Sequence, residues 1–274
     1  MKKILFLVAT IFSCSLLAQN VNTTKFKQLG EELPTPNVYR TASGAPGHQY
    51  FQQQADYDME ITLDDQTQRI YGKETVTYTN NSPDELRYLW VQLDQNMRAK
   101  NSTTQEINTD GIFSQRGNTA QTAFNQLKKN QFYDFDGGFK IDYVQSTGGT
   151  NLRYTVNNTM MRVDLPTPLG KGQKFSFNIK WWFNVNDRMD IGGRSGYEYF
   201  EEEDNYLYTI AQFFPRMAVY DDIVGWQNKQ FLGQGEFTLP FGDYKVSITV
   251  PSDHVVASTG ELTNESRVLT SSQR

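Results

Sequence analysis

Tyr57-Asp-Met-Glu-Ile-Thr-Leu63 alternates apolar and polar residues without a break, and Glu74-Thr-Val-Thr-Tyr78 repeats the pattern. Side chains on an extended chain point to opposite faces in turn, so this period of two marks strands with one face in a core and one in water. Asn80-Asn-Ser-Pro-Asp84 follows as dense turn chemistry, then Leu86-Arg-Tyr-Leu-Trp-Val-Gln-Leu93 as the next strand. Thr159–Leu165, Lys174–Phe183, Tyr206–Ile210 and Gly235–Val250 extend the series, the last with a bend at Phe241-Gly-Asp-Tyr244. Phe, Tyr and Trp number 18, 15 and 4, a supply that suits large sheets packed face to face. The fold class is therefore all-β, a large antiparallel sandwich or saddle-like domain. Its one long loop, Asn96 to Phe132, carries a short helix over Ala120–Lys129.

The amino end has different grammar. Lys2 and Lys3 precede an apolar run from Ile4 to Leu17, then Ala18-Gln19, which reads as a secretory signal over residues 1–19. The run is too short for a membrane span, which takes roughly 20 apolar residues. Cys14, the only cysteine, leaves open a second reading as an acylated lipoprotein cysteine, although Leu16 and Leu17 carry the apolar run past it. Either way the chain is expected to be exported, to a periplasm or the exterior. Residues 20–48 form a polar leader with Pro34, Pro36 and Pro46, and 49–274 form the β domain, whose carboxyl end is expected to be incomplete. With no other cysteine, that domain must stand on its core without disulfides. A formal charge of −5 and a pI near 5.2 give no footprint for nucleic acid.

Tyr208-Thr-Ile-Ala-Gln-Phe-Phe-Pro215 resembles the Thr-Gln-x-Glu-Pro segment in the amino-terminal β domain of zinc aminopeptidases of the aminopeptidase N and leukotriene hydrolase kind. Further segments match that family in order. Asp56–Asn81 is similar to its opening hairpin, and Thr159–Phe183 to a strand, proline turn and strand unit turning at Lys171-Gly172. Gly193-Arg-Ser-Gly-Tyr197 sits at a Gly-aromatic step before an acidic loop, Arg216 and Asp222 at the Arg and Asp that follow, and Val250–Glu261 at a strand and Gly-Glu exit. The resemblance implies a non-catalytic domain that caps the cleft of a secreted peptidase and helps orient a peptide's amino end. Gln212 would be the substrate-binding residue, because an ammonium with three donors wants amide or carboxylate acceptors. Position 214, usually Glu or Gln, is Phe214 here, which departs from strict aminopeptidase specificity. On residue chemistry alone, Gln212 is equally a strand-end amide bonded to backbone.

The family's H-E-x-x-H zinc motif is absent, and the only histidines are His48 and His254. The resemblance therefore places zinc and all catalytic residues in a downstream catalytic domain, the partner of this one. The chain given is expected to be inactive alone, and prone to aggregate where docking surface and strand edges lie bare.

The other constellations read blandly. Glu198, Glu201, Glu202, Glu203 and Asp204 read as a solvated acidic loop. Tyr133-Asp-Phe-Asp-Gly-Gly138 lacks the distal Glu of a calcium loop and reads as a turn, and the adjacent Asp221 and Asp222 read as turn or salt-bridge residues. Gly192-Gly-Arg-Ser-Gly196 lacks a P-loop lysine, and Ser195 lacks nucleophile-elbow spacing. Sequons stand at Asn22, Asn80, Asn101, Asn157 and Asn264. The alternative function is a stand-alone exported β-sandwich that binds carbohydrate or protein, with Trp181, Trp182 and Trp226 as stacking candidates.

Overall fold

The computed structural model describes residues 36–104, 135–191, 194–233, 235 and 237–274. The signal and the Ala120–Lys129 helix lie outside them. The chain divides into two compact units with the boundary between Tyr50 and Phe51. In the first, Asn37 Oδ1 accepts the N–H groups of Tyr39 and Arg40, both at 2.8 Å, which closes a tight turn.

Among its described residues the second unit carries thirteen strands. In chain order they begin β1 (Gln54–Asp64), β2 (Arg69–Thr79), β3 (Leu86–Gln92), β4 (Lys140–Ser146), β5 (Tyr154–Asn157), β6 (Met160–Leu169) and β7 (Lys174–Asn184). They continue β8 (Gly196–Phe200), β9 (Asn205–Thr209), β10 (Arg216–Met217), β11 (Tyr220–Asp221), β12 (Gly225–Trp226) and β13 (Tyr244–Thr249). One sheet has the order β13-β1-β2-β7-β4, a second β10-β3-β6-β5, and β8-β9 and β11-β12 are separate hairpins. The all-β reading holds, with one departure from purely antiparallel pairing: β13 runs parallel to β1, Tyr57 beside Tyr244 through Thr62 beside Thr249.

The alternating pattern does what it predicts. Tyr57, Met59, Ile61 and Leu63 of β1 are buried, and Asp58, Glu60 and Thr62 face water. With Val76, Ile179, Trp181 and Phe183 they meet Leu89, Val91, Met161 and Val163 of the second sheet in one core cluster. Each large side chain buried in this way contributes about 1.5–3 kcal/mol. The strand expected over Gly235–Val250 is shorter, since only Tyr244–Thr249 joins a ladder. Pro240 offers no N–H, and a Cβ at Gly242 would collide with the Ala55 carbonyl, so this stretch only grazes β1 through a single bridge from Gln54 to Phe241. The loop expected from Asn96 begins inside a 3-10 helix, Asp94–Arg98.

The Asn80 turn is more than a reversal. Asn80 is fully buried. Its Nδ2 donates to the carbonyls of Asp84 (2.7 Å) and Leu169 (2.8 Å). Its Oδ1 accepts from Gln53 Nε2 (3.0 Å), Ser82 N (3.0 Å) and Ser82 Oγ (2.6 Å). Burial and full bonding shut this sequon to glycosylation, whereas Asn101, Asn157 and Asn264 are exposed. Asn80→Ala orphans several buried partners at once, and we expect it to cost about 3 kcal/mol, read as a lower midpoint in urea unfolding.

All six residues of β13 are exposed. Its register sets Tyr244, Val246 and Ile248 beside the buried Tyr57, Met59 and Ile61, so they prolong the inner face of the sheet; Tyr244 stacks on Tyr57, while Val246 and Ile248 stay exposed. Its one lysine, Lys245, is engaged by Asp58 at 2.9 Å, so the usual charged guard on an edge is spent. The chain is therefore expected to self-associate with rising concentration, and Val246→Lys to suppress this in light scattering.

Candidate functional site

Gln212 stands just past the end of β9, at φ +53, in the left-handed region that side chains other than glycine seldom adopt. Its neighbours hold it there. The Ala211 N–H donates to Ser195 Oγ at 2.9 Å, and the Ser195 hydroxyl donates back to the Ala211 carbonyl at 3.3 Å. Gln95 Nε2 donates to the carbonyls of both Ala211 and Gln212 at 3.1 Å. Gln95 is itself buried, with Oε1 accepting from Arg98 Nη1 at 3.1 Å. Next to it, Asp94 Oδ2 takes Arg216 Nε at 2.7 Å and Nη2 at 2.5 Å. Two adjacent residues of the 3-10 helix therefore clamp both ends of the 211–216 segment. Burial pushes the Asp94 carboxyl up, and the Arg216 guanidinium opposes that push.

Between the clamps, Phe214 packs edge-on against Tyr57 at 5.4 Å and Tyr244 at 6.3 Å, and against Phe213 at 5.2 Å. The ring thus serves an aromatic cluster at the rim of the core. Gln212 is half-buried, and among the described residues its side-chain amide has no hydrogen-bond partner. The backbone bonds of this turn run through the main-chain groups of Ala211 and Gln212, which leaves the amide Oε1 available to an incoming donor. A backbone held this far from its preferred region costs about 1–3 kcal/mol, a cost most often met at ligand clamps and active sites.

The remaining candidates fall to local structure. Glu198 pairs with Arg188, and Asp204 accepts the Tyr199 hydroxyl at 2.7 Å. Asp136 accepts Lys140 Nζ at 2.7 Å, while Tyr133, Asp134, Gly192 and Gly193 lie outside the described residues. Asp221 closes the β11–β12 turn through the N–H groups of Ile223 and Val224. Ser195 is a backbone latch. His254 Nδ1 lies 2.9 Å from Asp253 Oδ1, and His48 is exposed. Trp181 is wholly buried. Trp182 carries the Arg69 guanidinium 4.6 Å from its ring centre, and Trp226 packs on Tyr220 at 5.2 Å. A cavity of about 340 Å³, lined by residues such as Asn96, Gly138, Lys140 and Asn158, does not include Gln212. Among the described residues no three His, Cys, Asp or Glu side chains gather as a metal site, so these residues do not fit a zinc ion.

The sequence singles out Gln212 but gives no sign of the bonds that Asp94, Gln95 and Ser195 make around its turn. A buried polar residue at a strand end leaves no local signature: the partners of Gln95 and Asp94 lie more than a hundred positions away, and Ser195 meets Ala211 across 16.

No protein-family model and no curated protein matches the chain. Solved structures do. The M1 zinc metallopeptidase from Deinococcus radiodurans superposes with a TM-score of 0.38 at 14% identity, covering 77% of this chain and 35% of that one. A mutant of it bound to a Tyr-Ser-Ala substrate gives 0.39 at 14%, covering 77% and 36%. A two-domain M1 zinc metallopeptidase mutant bound to L-tryptophan gives 0.36 at 13%, covering 80% and 39%. This chain thus spans little more than a third of the length of those it matches. At such identities and scores the likeness carries nothing about activity.

Proposed function

We propose that this chain is the amino-terminal, non-catalytic β domain of an exported zinc-dependent metallopeptidase that removes residues from the amino end of peptides. The Gln212 turn would form part of the cleft wall and hold the substrate's amino group. The observation that carries this reading is the left-handed, doubly clamped backbone at the one residue the family resemblance singles out. The ordered match of segments from Gln49 to Glu261, which is what singles out Gln212, supports the same reading. Zinc, the attacking water and the general base belong in this reading to a downstream domain, and no step of the reaction is assigned to this chain. Among the described residues no helix is long and apolar enough to cross a membrane.

The test is the full-length gene product. It should contain H-E-x-x-H, bind zinc and release a chromophore from an aminoacyl substrate. A downstream frame without paired zinc-ligating histidines overturns the reading. Gln212→Gly keeps the backbone conformation and removes the amide. We expect it to raise KM about tenfold for substrates with a free amino group, as the loss of one hydrogen bond to a charged group does, and to leave stability unchanged or slightly higher.

A further inference from the structure

The β8–β9 hairpin stands apart from both large sheets, its strands pairing in a ladder only with each other. Its base is fixed: Tyr208 donates its hydroxyl to Gln68 Oε1 at 2.6 Å, and the Tyr197 N–H donates to the Asn186 carbonyl at 2.9 Å. Tyr197 and Tyr208 also pack on the core. The far half is bare, with Tyr199 47%, Phe200 45% and Leu207 51% exposed. Because Tyr197 opposes Tyr208 and Tyr199 opposes Tyr206, four tyrosines share one face, leaving Phe200 and Leu207 on the other. The turn between the strands holds Glu201, Glu202, Glu203 and Asp204, all exposed. Asp204 sits at φ +48, and its bond to the Tyr199 hydroxyl ties the turn to the aromatic face.

We propose that this hairpin is a docking arm for a basic, Lys- or Arg-bearing protein segment. An unpartnered sheet face of aromatic and aliphatic side chains tipped with carboxylates complements such a segment in both parts of its side chains. The aliphatic stems lie along Phe200 and Leu207, and the cationic heads reach the turn glutamates. The carboxylates set the sign and the on-rate, and the apolar faces supply the residence time. The arm joins the Gln212 turn at its base, where Ser195 latches Ala211, but the proposal uses only the far half from Tyr199 to Leu207.

The test uses the full chain and a fluorescein-labelled peptide of alternating Arg and Leu, with a Glu-Leu peptide as its counterpart, in fluorescence anisotropy. The Arg peptide should bind and the Glu peptide should not. Joint replacement Glu201→Gln, Glu202→Gln, Glu203→Gln should weaken binding about tenfold or more. Leu207→Ser, which leaves charge unchanged, should weaken it several-fold. Glu261→Gln with Glu265→Gln, which removes the same kind of charge from exposed positions elsewhere, should change it less than about twofold. Circular dichroism of each variant should overlay the parent spectrum. Equal weakening by both glutamate sets, no effect of Leu207→Ser, equal binding of the two peptides, or no binding of either would each overturn the proposal.

Discussion

Gly72→Val is expected to unfold the β domain or bring it to the edge of unfolding. A Cβ placed on Gly72 would lie 2.0 Å from Cζ2 of Trp181, and two more indole carbons fall within 2.4 Å. The indole cannot step aside. It is wholly buried, with Phe139 edge-on at 5.4 Å and Phe183 stacked at 6.0 Å. Gly72 and Trp181 are direct partners across β2 and β7, so the absent side chain of one is the space the other fills. Overpacking a rigid site costs about 3 kcal/mol or more, a large share of the 5–15 kcal/mol that typically separates folded from unfolded. Trp181→Leu alone should also destabilise, by opening a void. Combined with Gly72→Ala it should cost less than the two added, and that non-additivity in thermal unfolding is the measurement that checks the contact.

Glu74→Gln is expected to stabilise the domain at neutral pH and to remove most of its stability loss with rising pH. Glu74 is wholly buried on the inner face of β2, and among the described residues neither carboxylate oxygen has a hydrogen-bond partner. Burial pushes its carboxyl well above the usual range, so the folded chain keeps it protonated where the unfolded chain ionises it. The folded state thus binds the extra proton. The contribution is fully present below the unfolded carboxyl value near pH 4.3 and declines as pH rises toward the folded value, by about 1.4 kcal/mol per pH unit. The charged or titratable groups that interact with this region are Tyr57, itself pushed up by burial and by Glu74, along with Tyr244 and Arg216. Glutamine has the same shape and no charge to bury, so urea midpoints of the variant should fall less steeply from about pH 4.5 to 7 than those of the parent, with the buried Asp94 carboxyl contributing to the slope that remains. A parent profile as flat as that of the variant would show that Glu74 ionises freely in the fold.

These two residues mark where sequence reading stops. Glu74 shares its strand face with Val76 and Tyr78, so the period of two points it inward while its charge alone would place it on the wet face. Only the second sheet, closing over β2, turns it into a buried acid. Gly72 reads as a weak point in a strand until Trp181 lies across it. Of the adjacent tryptophans, Trp181 shares its strand face with Phe177, Ile179 and Phe183 and turns inward, while Trp182 lies with Asn178, Lys180 and Asn184 on the other.

Much else was legible without tertiary structure. The β1–β2 hairpin, β3, the β6–β7 unit with its Lys171-Gly172 turn at φ +76, and the Asp221 turn all follow from alternation and turn residues. These are local rules, since each depends on side chains within a few positions of one another. The sequence by itself therefore determined an all-β domain and its principal strands and turns. Tertiary structure decided the parallel docking of β13 on β1, the clamp of Gln95 and Ser195 on the Gln212 turn, and the burial of Glu74. Each of these joins residues far apart in the chain, and no spacing rule along a single strand records which distant group will arrive to satisfy, cover or expose it.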